Sequence, residues 1–227
     1  MSNTALLTFT LAPVRHAQDL LDARTVRALA YGHHLAGQAL SFGDADPLDE
    51  QAGTCVLLCR DKASGQAIGT ARMRCSQDGP LQIDQSLILP QALAQSSRAE
   101  ITRLAVLRGA DPLVRLALMK AAYLHGLRRG VQHLVIGARL PALIRNYQRL
   151  GFADVLGPDQ YVPLAHAGGL PHRVLAFDLA RAHATWTAGG HPLLPFMVDT
   201  HHPDIHLPVP PTHPHAAHGD SHHRQAA

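Results

Sequence analysis

The sequence AEITRLAVL at residues 99–107, with the chain that follows it, decides the fold. Its β-branched and apolar residues predict a strand. Asp111 and Pro112 have the residue types of a helix N-cap and a first helical position, so a helix is predicted from there to Arg129. HLVIGA at residues 133–138 then predicts a short buried strand. A strand, a helix and a second strand in this order predict a β-α-β unit whose two strands are parallel neighbours.

The segments on either side of this unit extend the sheet. TCVLLCR at residues 54–60 and AIGTARMRC at residues 67–75 flank a turn that contains Gly65, which predicts an antiparallel hairpin. Further predicted elements are a strand at residues 4–11, a helix at 17–31, a helix at 141–150 and a strand at 174–178. Together these elements predict an α/β fold with a mixed, mostly antiparallel central sheet and helices on both faces.

Composition favours one folded domain followed by a tail. The 227 residues are 46% hydrophobic and 16% charged, which suits a single domain with its own core. The end of the chain is rich in His and Pro and has little apolar content. We therefore predict a domain at residues 1–188 and a disordered tail at residues 189–227. The tail histidines lack accompanying cysteines and a fixed spacing, so no metal ligand is assigned to them.

Two further sequence patterns indicate the cellular compartment in which the protein is expected. No apolar stretch approaches the roughly 20 residues that a membrane span needs, and the first residues lack the charged and apolar regions of a signal peptide. The three cysteines cannot all pair, which suits a reducing compartment. We therefore expect a cytoplasmic protein without stable membrane insertion.

Positive charge is concentrated in the middle of the chain. Between Arg98 and Arg149 there are ten Lys and Arg residues against Glu100 and Asp111, a net charge of +8. Such a stretch is expected to face an anionic partner. Nucleic acid is not the expected partner, because the stretch lacks interleaved exposed aromatic residues and a helix-turn-helix pattern.

The order of elements, with Asn146-Tyr147 followed by Gly151-Phe152, resembles the GCN5-related N-acyltransferase (GNAT) superfamily and its motif B. This resemblance implies a splayed central strand pair with an acyl-pantetheine arm in the gap. It also implies that Tyr147 is the acid that protonates the leaving thiolate. The residues implied to contact the acyl donor or its carrier are Leu104, Ala105, Val106, Arg108, Arg115 and Arg145.

One loop departs from the coenzyme A-using members of that superfamily. Those members show Arg/Gln-x-x-Gly-x-Gly/Ala before the helix, where backbone N–H groups bind pyrophosphate. Here the loop is RGADP at residues 108–112, in which Pro112 removes a donor and Asp111 adds negative charge. A carrier-protein-bound acyl group needs no pyrophosphate site, and the basic stretch suits an acidic carrier. Acyl carrier protein is therefore the expected donor and acyl-coenzyme A the alternative, each as co-substrate rather than bound cofactor.

A second set of motifs resembles the acyl-homoserine-lactone synthases and the related N-acyl amino acid synthases of the FeeM type. In chain order the motifs are Arg27-x3-Tyr31, Asp46-x2-Asp49, the Gly-x-x-Arg that ends at Arg72, and Glu100-x-Thr-Arg103. The resemblance implies a catalytic role for Glu100 and Arg103 and a substrate-binding role for Arg27, Asp46, Asp49 and Arg72, with the two aspartates at the acceptor ammonium. Leu104, where the lactone synthases carry an aromatic residue, favours the amino acid synthases.

Aminolysis of a thioester defines what these residues would have to do. The reaction needs a base for the amine, donors for the oxyanion and an acid for the thiolate. Glu100 lies beside apolar Ile101, and partial desolvation would raise its pKa toward that of a useful base. Glu100 and Arg103 are three residues apart and point to opposite faces of a regular strand. A shared site therefore requires a bulge or a splay.

The sequence thus predicts an N-acyltransferase that moves a long-chain acyl group from acyl carrier protein to the amine of an amino acid. Two rivals remain. One is a coenzyme A-dependent N-acetyltransferase, and the other is a non-catalytic acyltransferase-like module whose histidine tail binds metal. The site residues also have structural alternatives, as a strand-end ion pair, loop caps, solvent-facing arginines or a core tyrosine. The acceptor, the acyl length and the oligomeric state are left open.

Overall fold

The computed structural model describes residues 3–32 and 43–207 of the chain. Its strands are β1 (Asn3–Thr4), β2 (Phe9–Pro13), β3 (Thr54–Asp61), β4 (Ala67–Cys75), β5 (Arg98–Val106), β6 (His133–Ala138), β7 (Ala153–Asp154), β8 (Val162–Leu164), β9 (Leu170–Asp178) and β10 (Thr200–His201). Its helices are α1 (Ala17–Gly32), α2 (Gln91–Ala94), α3 (Leu113–Arg128), α4 (Pro141–Leu150) and α5 (Leu179–Ala188).

An eight-stranded sheet forms the centre of the protein, in the order β2-β3-β4-β5-β6-β9-β7, with β8 beside β9. Its neighbouring strands are antiparallel except for β5 and β6, which are parallel and joined through α3. This pair is the predicted β-α-β unit. The predicted α/β fold with a mixed, mostly antiparallel sheet is therefore confirmed.

Strands β5 and β6 separate partway along their length. They are paired from Arg98 and His133 to Ile101 and Ile136, and β5 then continues to Val106 without pairing to β6. The backbone groups along this gap face a space rather than a partner strand. The splayed central strand pair that the GNAT resemblance implied is confirmed.

A β-bulge lies in β5 where the separation begins. Arg72 of β4 pairs with Thr102, but Thr70, two residues earlier, pairs with Ala105, so β5 holds one extra residue there. Arg103 has a φ of 53°, which is uncommon for a residue with a side chain. An extra residue of this kind changes the face to which the following side chains point.

Helices cover both faces of the sheet. Helix α1 packs Leu20 and Ala23 against Val56 and Leu58 on one face. On the other face α3 and α5 complete the main core, in which Leu118 and Trp186 are almost fully buried. The site-bearing strands β4 and β5 therefore lie between two apolar layers, where any charged side chain needs a partner.

The predicted domain boundary at residue 188 is corrected by the structure. Residues beyond α5 pack on α3, where Lys120 donates to the carbonyls of Phe196 (2.7 Å) and Thr200 (2.6 Å). Strand β10 then pairs with β1, and Asp204 accepts the backbone N–H of Leu7 at 2.8 Å.

The physical reason for this error is that the average composition of residues 189–227 hides a short apolar run. Leu193, Leu194, Phe196, Met197 and Val198 all pack with the main core. The folded part therefore continues to residue 207 at least. The rest of the predicted tail, residues 208–227, lies outside the described residues.

Candidate active site

The gap between β5 and β6 opens into a cavity of about 350 Å³. One wall is the bulged half of β5, from Ile101 to Val106, and the facing wall is formed by Ile136 to Leu140. The whole lining is mostly apolar but includes several large polar or charged side chains. These are Tyr31, Arg103, Arg115, Arg139, Tyr147, His166 and His172.

Glu100 lies on β5 just before the strands part. It is 4% exposed, and its Oε2 accepts the backbone N–H of Gln82 at 2.7 Å. Burial raises the pKa of Glu100 to about 7, although the backbone N–H groups of Ile83 and Gln82 and the guanidinium of Arg72 lower it. A carboxylate whose pKa lies near neutrality is suited to accept a proton and release it again.

A network of buried ion pairs occupies the sheet face on which Glu100 lies. Arg27 donates to both oxygens of Asp49, at 2.6 and 3.1 Å. Arg72 donates from Nη1 to Asp49 at 3.1 Å and to Asp46 at 2.6 Å, and Arg103 donates to Asp46 at 3.1 Å. The five charged residues that the FeeM-type resemblance singled out around Glu100 are thus brought together.

The bulge at Arg103 makes this arrangement possible. On a regular strand Arg103 would point away from Glu100, but the extra residue brings its guanidinium to Asp46, the aspartate that Arg72 also binds. Burial raises the pKa of Asp46, but hydrogen bonds from Arg72 and Arg103 outweigh it and bring that pKa to about 2. Asp46 is therefore ionised at neutral pH and pairs with both arginines.

The network leaves few of these groups free to contact a substrate. The Asp49 side chain has no exposed surface, and its oxygens are taken by Arg27 and Arg72. Arg72 is 1% exposed, and its remaining donors bind the Thr102 hydroxyl and the Gln82 side-chain oxygen. Within the network, Arg103 is the residue that lines the cavity.

Arg72 acts on Glu100 through Gln82. Its Nη2 donates to Gln82 Oε1 at 2.6 Å, and the backbone N–H of the same Gln82 donates to Glu100. The ion-pair network thereby fixes the segment that holds the carboxylate in place.

Tyr147 lies on α4 and lines the cavity. It is 3% exposed and forms a side-chain hydrogen bond with Arg115. Burial raises the pKa of Tyr147 to about 12, and Arg115 opposes part of this increase. The phenol is therefore protonated at neutral pH, as a proton donor must be.

The residues predicted to contact the acyl donor divide into two groups. Leu104, Ala105, Val106 and Arg115 line the cavity. Arg108 and Arg145 are exposed and do not line it. The first group therefore lies in the gap between β5 and β6, and the second lies on the surface.

The N-terminus of α3 is capped by the chain itself. Asp111 Oδ1 accepts the backbone N–H of Leu113 at 2.8 Å, and its backbone carbonyl accepts that of Val114 at 3.0 Å. Pro112, between them, has no N–H. A carboxylate thus occupies the helix end at which a pyrophosphate would otherwise bind.

Sequence reasoning missed His166 and Gln82. His166 lies in the 3-10 turn Ala165–Ala167, lines the cavity and places its Nε2 4.0 Å from Glu100 Oε1. No motif marked it, since it is a single histidine in a short Ala/Gly-rich turn. Gln82 acts through its backbone N–H, a contact for which sequence offers no signal.

Two searches of the described residues bear on other functions. In residues 3–32 and 43–207, no three His, Cys, Asp or Glu side chains group in a way that could hold a metal ion. None of the helices in the same ranges has the length and apolar character needed to cross a membrane.

The comparison with known proteins rests on structure, because no protein-family model and no curated protein matches the sequence. FeeM, an N-acyl amino acid synthase from uncultured soil microbes, is similar with a TM-score of 0.59 and 15% identity, over 84% of this chain and 98% of its own. BjaI, a coenzyme A-dependent acyl-homoserine lactone synthase, has a TM-score of 0.53 and 16% identity, over 86% and 93%.

The ribosomal-protein-S18-alanine N-acetyltransferase from Escherichia coli is also similar. Its TM-score is 0.52 and its identity 17%, over 75% of this chain and 94% of its own. At such identities the likeness establishes the fold. The split strand pair and these neighbours together show that the chain has the GNAT fold of the N-acyltransferases.

Proposed function

We propose that this protein is an N-acyltransferase that moves a long-chain acyl group from acyl carrier protein to the amine of an amino acid. The observation that carries the proposal is the buried carboxylate of Glu100, with a pKa of about 7, at the point where the two central strands part. The fold provides the gap for the thioester, and Glu100 provides a base beside it.

The other groups supply what aminolysis requires. The amine must be neutral to attack the thioester carbonyl, and its proton passes toward Glu100. Tyr147, protonated and lining the cavity, gives a proton to the departing thiolate. Arg103 supplies positive charge at the cavity wall for the carboxylate of an amino acid acceptor. In this proposal Arg27, Asp49 and Arg72 position the site, and Asp46 holds Arg103 and Arg72 rather than the acceptor ammonium.

A carrier-protein donor is favoured by the end of α3 and by the charge around it. Asp111 and Pro112 occupy the position at which a coenzyme A pyrophosphate would need N–H donors and positive charge. Five of the ten basic residues between Arg98 and Arg149 are engaged inside the domain. Arg108, Arg145 and Arg149 are exposed, and these could contact an acidic carrier.

A coenzyme A donor is the second candidate, and one observation supports it. A second cavity of about 570 Å³ lies between α3 and α4, next to Tyr147, and its walls include Arg115, Arg149 and His191. These side chains could bind phosphate in place of the helix N-terminus.

The test is to incubate the full-length protein with acyl carrier protein charged with a long-chain acyl group, with the same acyl group on coenzyme A, and with acetyl-coenzyme A. Each donor is offered with a mixture of the amino acids, and mass spectrometry identifies the N-acyl product. The carrier-protein donor is expected to give the highest kcat/KM. Turnover of acetyl-coenzyme A alone would overturn the proposal in favour of an N-acetyltransferase.

Two glutamine variants test the role of Glu100. Glu100→Gln is expected to lower kcat at least 100-fold, within the range for loss of a general base. Glu50→Gln is the matched control, because the Glu50 side chain is 67% exposed, and it is expected to leave kcat unchanged. Equal activity of both variants would remove Glu100 from the mechanism.

A further inference from the structure

His166 stands between the Glu100 carboxylate and the cavity. In the part of the chain that the structure describes, the cavity is lined by Ile101 and Thr102 but not by Glu100, whereas His166 lines it directly. The Nε2 atom of His166 lies 4.0 Å from Glu100 Oε1. A proton that leaves a substrate in the cavity for Glu100 therefore meets the imidazole first.

The other ring nitrogen of His166, Nδ1, is buried. Among residues 3–32 and 43–207 this atom has no hydrogen-bond partner, although the side chain is only 10% exposed. Leaving a buried polar atom unpaired costs about 1–3 kcal/mol, so such an atom calls for an explanation. His172, which lines the same cavity, differs in this respect, because its Nδ1 lies 2.7 Å from the carbonyl oxygen of Leu170.

We propose that His166 is the group that takes the proton from the acceptor amine, and that Glu100 orients it by accepting the Nε2 proton. In that tautomer the lone pair is on Nδ1, which is buried in the structure, and in the complex the ring turns so that this nitrogen reaches the substrate. The 4.0 Å separation is longer than a hydrogen bond, but catalytic hydrogen bonds are often long without substrate and shorten in the complex. This inference rests on the proposed function and refines it: the proton that passes toward Glu100 is taken by His166, and Glu100 acts as a positioning residue.

The proposed step is balanced without a further reactant. The nitrogen of a neutral amine forms a bond to the thioester carbonyl carbon, and one N–H proton passes to Nδ1 of His166. The tetrahedral intermediate then loses its C–S bond, and Tyr147 gives a proton to the thiolate. Proton transfer from the imidazolium to the Tyr147 phenolate, through solvent in the cavity, restores both groups. The products are the amide and the free thiol.

The charges around His166 fit this role. Burial lowers the pKa of His166 to about 4, Arg103, His172 and Arg72 act in the same direction, and Asp46 opposes them. The imidazole is therefore neutral at neutral pH and able to accept a proton. The imidazolium formed during the reaction is stabilised by the ionised form of Glu100.

Kinetics of two matched variants test the proposal. His166→Gln is expected to lower kcat at least 100-fold with less than about a threefold change in KM, whereas His172→Gln is expected to stay within a factor of about five of the wild type. His166→Gly is expected to regain activity when imidazole is added. Full activity of His166→Gln, or an equal loss in His172→Gln, would overturn the role of His166 and leave the proposed function standing.

Nitrogen-15 NMR of the imidazole gives a readout that needs no turnover. The His166 resonances are assigned by their absence in His166→Gln, or by selective labelling if that variant does not fold. The expected result is a neutral ring with the proton on Nε2 at pH 8, and a changed tautomer ratio in Glu100→Gln. A proton on Nδ1, or no response to Glu100→Gln, would refute the pairing. If the wild type transfers no acyl group, the proposed function fails, while the NMR result still decides whether the two side chains are coupled.

Discussion

Replacing Glu100 by glutamine is expected to stabilise the folded protein at pH 8 much more than at pH 4. Glu100 is 4% exposed, and burial raises its pKa to about 7 from an ordinary value of 4.5. At pH 8 the wild type holds an ionised carboxylate in a desolvated position, whereas the variant holds a neutral amide of almost the same shape there. The buried carboxylate that the proposed reaction needs therefore lowers the free energy of unfolding.

The size and sign of the effect follow from the linkage between ionisation and folding. When a group has a higher pKa in the folded than in the unfolded protein, its contribution to stability is fully present below the unfolded-state pKa. That contribution is lost as the pH rises through the folded-state pKa. For Glu100 that window runs from 4.5 to about 7. Since each pKa unit corresponds to about 1.36 kcal/mol, the loss comes to about 3 kcal/mol at pH 8. For a domain of this size that is roughly 6–12 °C in Tm.

The measurement is urea denaturation of the wild type and of Glu100→Gln at pH 4 and at pH 8. The variant's advantage in unfolding free energy is expected to grow by about 3 kcal/mol between the two pH values, whatever constant cost the amide carries. Glu50→Gln, with its exposed side chain, is expected to show a difference below about 0.5 kcal/mol at both. If the Glu100→Gln difference is the same at pH 4 and pH 8, the carboxylate is not desolvated, and its proposed role in proton transfer fails.

Three further changes test other parts of the structure. Asp49→Asn leaves the buried guanidinium of Arg27 without its carboxylate, so the free energy of unfolding measured by urea denaturation is expected to fall by about 3–5 kcal/mol. A loss below about 1 kcal/mol would contradict the buried network. Tyr147→Phe is expected to lower kcat about 100-fold in the acyl-transfer assay with KM little changed, while Tyr123→Phe, a core tyrosine away from the cavity, is expected to keep kcat. Ending the chain after residue 194 removes the oxygen and nitrogen acceptors of the buried Lys120, so the thermal midpoint is expected to fall by more than about 8 °C. Ending the chain after residue 207 keeps these acceptors and is expected to leave the midpoint within about 2 °C of the full-length protein. Equal midpoints for the two truncations would show that residues 195–207 do not stabilise the domain.

Local sequence signals were sufficient to predict the central unit of the fold. The strand at residues 99–107, the capped helix after Asp111 and the strand at residues 133–138 all have strong hydrophobic patterns and recognisable ends. Each is observed within a few residues of its predicted bounds. The charged residues that the structure brings together were also singled out from the sequence, because each belongs to a short motif in a fixed order.

Contacts between distant segments could not be predicted in the same way. His166 reaches Glu100 because the chain returns along β8 and β9 beside β6, and nothing near residue 166 indicates this. Residues 189–207 were misjudged for a related reason. Their histidines and prolines dominate the composition, whereas a few apolar side chains and the acceptors for Lys120 decide where they pack.

One residue inserted in β5 links the fold to the chemistry. A bulge bends and twists the strand that holds it, and this one lies between Thr102 and Ala105, one residue beyond Ile101, the last residue of β5 that pairs with β6. The same extra residue brings Arg103 to the face where Asp46 and Arg72 lie, at a φ of 53° that an arginine rarely adopts. The ion pair with Asp46 stabilises that conformation, so the cavity and the charged site depend on the same distortion. The buried charges therefore cluster at the point of the sheet where the strand pair parts, because the bulge that accompanies the parting also brings Arg103 to Asp46.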